Sequence, residues 1–336
     1  MSDDYFVSER EESVRSEVRT AAIGERIDKE FSCMQEILGD HADANAFFGL
    51  QQWTRFTLGR IGKLIAQGRI NPACAEQQRV GAARARLSRD SLRLGVFPIS
   101  GNPLHWGHLL GGLAAMERYQ LDKVAYIIAG EDPRKPALAP ALIRHRIAKD
   151  VLKLFHPLFE YSPLALGTTK PGEVNVFRLF AGSDAPLHVF YLAGSDHACR
   201  FTPHTGCPDT IQWLETGVRK RINGFNPRTH RLSAVFLDRG DRCAPVESFL
   251  DVRWIGHLPV RTSSTMIRGA LSGHEPLCEL AALPFTAYCT ICAHGIYRME
   301  EEIAGHWPSE CDFFRPAEET EDHMPRAQGK MGVRET

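Results

Sequence analysis

The chain has 336 residues, 43% of them hydrophobic and 24% charged, with 40 Lys and Arg against 41 Asp and Glu for a formal net charge of −1. This is enough chain for a sizeable core in one large or two ordinary domains, and the composition excludes an overall disordered or fibrous class. With no net field to recruit nucleic acid or an anionic membrane, any polyanion has to be held by a local site.

The longest apolar runs, such as Val124 to Ala129 and Val189 to Ala193, are too short to cross a bilayer, and the acidic start of the chain lacks a signal-peptide pattern. A soluble, cytoplasmic protein without nucleic-acid or membrane partners is therefore expected. Nine cysteines, scattered along the chain, read as reduced thiols, and Cys289-Thr-Ile-Cys292 reads as packing inside an apolar helix. No metal ligand set is expected.

In chain order, residues 1–90 read as helices of unassigned role, with apolar spacing of three and four over Glu12 to Leu38 and a second stripe of Phe47, Phe48, Leu50, Trp53 and Phe56. Three roles stay open for these helices: packing on the domain that follows, forming a homo-oligomer interface or recruiting a protein partner. Near residue 90 the texture changes to strand-like runs separated by helix-length stretches. The predicted strands are Leu94 to Ile99, Val124 to Ala129, Phe159 to Leu166, Leu187 to Ala193, Leu232 to Leu237 and Val252 to His257, with helical patterns at His108 to Tyr119, Pro140 to Phe155 and Asp209 to Arg219. Near-continuous apolar strands alternating with helices predict an α/β domain over residues 91–299, a doubly wound, Rossmann-like parallel sheet. Residues 300–336 are polar and read as a disordered tail.

Two segments carry chemistry. In the first, strand Leu94 to Ile99 runs into a loop of Ser100, Gly101, Asn102 and Pro103, and His105-Trp106-Gly107-His108 then opens a helix. A first strand-to-helix turn of this kind lies at the carboxyl edge of a parallel sheet, where free N–H groups and a helix dipole receive phosphate. The two histidines, three apart, share one side of the helix start and can donate to phosphate oxygens, while Gly107 permits close approach of a ligand. In the second, Arg261-Thr-Ser-Ser-Thr-Met-Ile-Arg268 opens a helix after the last strand. Ser263, Ser264 and Thr265 can cap it, and Arg268 can present a fork of donors to the same anion.

The order GNPLHWGH, LAGSD and RTSSTMIRGAL resembles the HxGH nucleotidylyltransferase superfamily, most closely the nicotinamide or nicotinate mononucleotide adenylyltransferases. The pattern GxFNPxHxGH is matched at Asn102, Pro103, His105, Gly107 and His108 but departs at Ile99 and Gly101. The pattern ISSTxIR is matched at Ser263, Ser264, Thr265, Ile267 and Arg268, and the run from Leu283 to Tyr297 is similar to that family's terminal helix. The resemblance covers about residues 93–298.

This resemblance implies transfer of AMP from ATP, with Mg²⁺, to the 5′-phosphate of a mononucleotide, as in pyridine nucleotide biosynthesis. It implies catalytic roles for His105, His108 and Arg268. It further implies ATP binding by Ser100, Gly101, Asn102, Gly107, Gly194, Asp196, Ser263, Ser264 and Thr265. Arg134, Lys135 and Arg146 are the expected cations for the mononucleotide phosphate, Trp106 and Trp213 are candidates to stack on its base, with buried packing the stronger reading of each, and Arg239 is a candidate on the adenosine side. Amide and acid pyridine substrates both remain open, as do a sister HxGH adenylyl- or cytidylyltransferase and a non-catalytic nucleotide sensor.

Overall fold

In the computed structural model of the chain the described residues are 3–73, 91–132, 135, 137–169, 176–181, 186–198, 210–238, 247–256, 258–260 and 262–297, with side chains described from residue 20 onward. The texture change near residue 90 and the stretch from residue 300 lie outside them. The described residues fall within one compact unit.

The six predicted strands all form, as β1 (Leu92–Ile99), β2 (Lys123–Ile128), β3 (Phe159–Ser162), β4 (Leu187–Gly194), β5 (His230–Leu237) and β6 (Asp251–Ile255). They pair in parallel in the order β3-β2-β1-β4-β5-β6. Both faces are covered, which is why β2 is buried at every position and reads as an unbroken apolar run. β3 is half the predicted length. Its ladder ends at Ser162 opposite Ile127, because Pro163 has no N–H to continue it and the chain turns there.

The connections are α3 (Trp106–Tyr119), α4 (Ala141–Lys153), α5 (Thr210–Arg219), α6 (Ser264–Leu271) and α7 (Phe285–His294). Strand order reverses direction between β1 and β4, so the loops that follow these two strands part at the carboxyl edge. A crevice opens there without any further device, which is the usual ligand position in open α/β sheets.

The amino-terminal region is a helical hairpin of α1 (Asp3–Leu38) and α2 (Ala44–Ala66). On α1 the buried residues Ile23, Ile27, Phe31, Met34 and Leu38 follow the spacing of one helix face. Asp43 caps α2 by accepting from the N–H groups of Asn45 and Ala46. The aromatic stripe of α2 divides: Phe47 and Leu50 turn inward, whereas Phe48 and Phe56 are exposed. Two helical positions separate Phe48 from Leu50, too far round the axis to share a face. Across the hairpin, Arg55 makes a forked contact with Asp28, and Arg60 reaches Glu117 of α3 at 2.7 Å. No described helix is long and apolar enough to cross a membrane.

Candidate active site

A cavity of about 530 Å³ opens at the carboxyl edge, between the loops after β1, β2 and β4 and the start of α6. Its wall includes Ser100, Gly101 and Asn102 from the first loop, His108 from α3, and Ser263, Ser264, Thr265 and Arg268 from the last. Gly101 has φ +60°, a left-handed backbone that glycine adopts without strain.

The two histidines cap α3 reciprocally. Nδ1 of His105 accepts from the Gly107 N–H at 3.1 Å, and Nδ1 of His108 accepts from the His105 N–H at 3.4 Å. Each neutral ring accordingly carries its proton on Nε2, which makes Nε2 the donor edge toward an oxyanion. The His108 ring meets the edge of Phe97, and the His108 carbonyl accepts from the Tyr126 hydroxyl at 3.1 Å.

The pair is unequal. His108 lines the cavity, whereas His105 is 2% exposed and stands beside it, ring centroids 4.0 Å apart. Gly107 also has a different reason from the one its position suggested. A Cβ there would come within 2.8 Å of His105 Cε1, so the close neighbour is the histidine ring rather than a ligand.

The two motifs, remote in sequence, are bonded to each other. Arg268 Nη1 donates to the Asn102 carbonyl at 2.7 Å and to the Ser264 carbonyl at 3.1 Å, and Nη2 donates to Thr265 Oγ1. The Ser264 hydroxyl donates to the Pro103 carbonyl at 3.1 Å, and Ser263 caps α6 by accepting from the Met266 N–H. These bonds use part of the guanidinium's five donors and leave its remaining N–H groups for an anion.

Of the other expected residues, Gly194 and Asp196 line the cavity at the end of β4. Lys135 does so as well, its Nζ donating to Ser100 Oγ at 3.3 Å. Arg134 and Arg239 lie outside the described residues.

Trp106 is not a stacking platform for a base. It is 1% exposed and lies parallel to Phe31, centroids 4.4 Å apart, with Phe155 at its edge. Trp213, on α5, is half-buried and is not part of the cavity wall. Arg146 is exposed and also away from the cavity, because it lies on the outward face of α4.

The arginine of that helix that turns toward the loops is Arg144, which is fully buried. It donates from Nη1 to the carbonyls of Ser100 (2.6 Å) and Ala129 (2.8 Å), from Nη2 to Gly130 (2.6 Å) and from Nε to Ala139 (2.8 Å). Burial pulls its pKa down, with Glu131 and Asp132 opposing. Its neighbours at 141, 148 and 151 are buried as well, so the three-and-four spacing that marks the inner face passes through 144 and skips 146. Tyr297 also belongs to the frame of the site. Its hydroxyl donates to Asn102 Oδ1 at 2.6 Å.

Among the described residues no group of three or more His, Cys, Asp or Glu can hold a metal. The single carboxylates on the cavity wall are Glu131, Asp132 and Asp196. On α7, burial pushes the Cys292 thiol up to about 11, which keeps it protonated and unreactive at neutral pH.

A parallel sheet with strand order 3-2-1-4-5-6, a histidine-capped helix after its first strand and a serine-capped helix after its last define a doubly wound α/β protein with two capped helix starts at the carboxyl edge of its sheet. Curated relatives are similar to the chain over part of its length. They include proteins named "Probable nicotinate-nucleotide adenylyltransferase" from Thermus thermophilus (32% identical over 111 residues, 31% of this chain and 56% of the relative), from Synechococcus (26% over 173 residues, 51% and 74%) and from Clostridium acetobutylicum (23% over 206 residues, 60% and 97%). The chain thus spans a little over half the length of the Thermus relative. No family model matches it. A solved structure of nicotinic acid mononucleotide adenylyltransferase from Plasmodium falciparum, complexed with NaAD, aligns with a TM-score of 0.48 at 11% identity, over 62% of this chain and 99% of that one.

Proposed function

We propose that the chain transfers AMP from ATP to the 5′-phosphate of nicotinate mononucleotide, releasing pyrophosphate and forming the dinucleotide. The observation that carries this reading is the bonding of Arg268 and Ser264 to the Asn102-Pro103 turn, which puts His108, Arg268 and the α6 start around one cavity. The names of the relatives support the acid form of the pyridine as acceptor.

The acceptor phosphate is ionised at neutral pH, so no general base is required. An oxygen of that phosphate attacks the α-phosphorus of ATP, and the bond from the α-phosphorus to the bridging oxygen breaks, with the electron pair leaving on pyrophosphate. The protein's tasks are to align two anions and to offset their repulsion. On this reading His108 donates from Nε2 to the α-phosphate, and His105 holds the helix start that aims it. Arg268 and the N–H groups of α6 receive the β- and γ-phosphates. Asp196, exposed at the end of β4, accepts from ribose hydroxyls. Lys135 meets the mononucleotide phosphate across the Ser100 loop. Mg²⁺ belongs to the nucleotide substrate, ligated by phosphate oxygens and water rather than by a protein cage, and it neutralises phosphate charge when bound.

The test is to incubate the full chain with ATP, Mg²⁺ and either nicotinate or nicotinamide mononucleotide, and to follow pyrophosphate together with the dinucleotide by chromatography. Formation of the acid dinucleotide in preference to NAD supports the proposal. Preference for the amide shifts the substrate assignment. Pyrophosphate release only with an unrelated phosphate acceptor overturns it in favour of a sister transferase.

A further inference from the structure

The amino-terminal hairpin lies outside the resemblance, yet α1 touches the frame of the site at two successive residues. Phe31, 3% exposed, stacks on Trp106, the residue between His105 and Gly107, with ring planes 22° apart. Phe47 of α2 packs against the other side of this contact as an edge on Phe31. Glu30, 7% exposed, accepts from the Thr286 N–H at 2.9 Å and from the Thr286 hydroxyl at 2.6 Å.

The Glu30 contact replaces a missing cap. α7 begins after Pro284, which has no side-chain oxygen to offer, so its first N–H groups lack a local partner. A carboxylate from a helix 256 positions earlier fills the place and meets the positive end of the α7 dipole. Just beyond the far end of α7, Tyr297 bonds Asn102, whose carbonyl in turn holds Arg268. One face of α1 therefore bears on the site along two routes: directly on the HxGH helix start through Trp106, and through α7 on the Asn102 turn.

We propose that α1 is a positioning element of the nucleotide site, with Phe31 setting the HxGH helix start through Trp106 and Glu30 setting the Asn102 turn through α7. Both act through other groups and touch no substrate. Trp106 is fully buried at the first turn of α3, so a shift of its ring moves the backbone that carries the reciprocal histidine cap. Because the coupling is an equilibrium property, it runs in both directions: nucleotide in the cavity strengthens the docking of α1.

The inference rests on the proposed nucleotide site, and its test separates the two. The variants are Phe31→Ala, Phe31→Leu and Ile23→Ala in the full chain. Ile23 is fully buried on the same face of α1, about 12 Å along the axis from Phe31. Its truncation removes buried apolar volume from α1 about two helical turns away from the Phe31 position. The readouts are Tm, the Kd of a non-hydrolysable ATP analogue, turnover with nicotinate mononucleotide, and hydrogen exchange of α1 with and without the analogue.

The expected result is a rise in analogue Kd or a fall in turnover of about tenfold for Phe31→Ala and about threefold for Phe31→Leu, with Ile23→Ala within twofold of the parent at a comparable Tm loss. The analogue should also slow exchange in α1 of the parent chain. If Phe31→Ala does not fold, Phe31→Leu against Ile23→Ala decides. Variants that track Tm alone, or Phe31 variants equal to Ile23→Ala, overturn the inference while leaving the transferase reading intact. A parent chain that binds no analogue overturns the reading itself, and the inference with it.

Discussion

Tyr297 and Asn102, 195 positions apart, meet through a 2.6 Å hydrogen bond from the phenol to Oδ1. The same Oδ1 accepts from the Ala139 N–H at 2.9 Å, and Nδ2 donates to the Ala137 carbonyl at 3.3 Å. Asn102 thus joins the turn after β1, the loop after β2 and the chain beyond α7. Burial pushes the Tyr297 phenol up to about 12, so it remains a donor over the working pH range. Tyr297→Phe is expected to cost about 1 kcal/mol of stability and to lower kcat several-fold, with no change in the shape of the pH profile below pH 10. A urea titration and a pH series of turnover check both parts.

His108→Ala should lower kcat by well over tenfold, which corresponds to about 1.4 kcal/mol or more of transition-state stabilisation. His105→Ala removes the acceptor for the Gly107 N–H and the ring that fills the space over Gly107, so it should lower Tm as well as turnover. Equal Tm losses for the two variants would contradict the unequal placement of the rings.

Arg144→Lys replaces a planar fork by a point charge that cannot span four carbonyls. The carbonyls left without donors lie in two of the loops that shape the cavity, those after β1 and β2, and the expected loss is about 2–4 kcal/mol. Chemical denaturation measures it. Arg146→Ala, on the outer face of the same helix, should leave both stability and turnover near the parent values.

Lys135→Ala should raise the KM for the mononucleotide by about an order of magnitude, near 1.4 kcal/mol, and leave the Kd of an ATP analogue unchanged. A parallel rise in both would move Lys135 to the triphosphate.

Glu30 supplies a pH signature. Its pKa is raised chiefly by burial, against the lowering effect of the Thr286 donors and Lys29. The folded state therefore holds the proton more tightly than the unfolded chain. The contribution of this group is fully present below its ordinary value of 4.5 and is lost as pH rises through the raised folded value. Relative to the parent, Glu30→Gln should gain stability between mildly acid and neutral pH, and paired thermal melts at the two extremes give the sign.

The sheet was legible because β1, β2, β4 and β5 are buried on both faces and therefore read as apolar runs, and because the starts of α3 and α6 carry their own caps. The contact between Ser264 and Pro103 was legible only as two motifs, each plausible alone. What joins them is a hydroxyl-to-carbonyl bond across 161 positions, which no local pattern encodes. For Trp106 the sequence leaves a base platform and buried packing both open, since an aromatic beside two histidines suits either. Its partner Phe31 lies in a segment with no motif, so nothing local announced that the ring was already covered. Arg144 and Arg146 differ by about 200° of helix rotation, and only the inward phase of Ala141, Ala148 and Val151 tells them apart.

The Glu30 contact also sets an order of events during synthesis. At about 5–20 residues per second, the first helix waits roughly 13–50 s for Thr286 to be made. During that interval Phe31 is covered by Phe47 of the neighbouring helix and by Trp106 of α3. A nascent chain that stops before α7 leaves the Glu30 carboxylate without its Thr286 donors, so the last described helix completes the seating of the first.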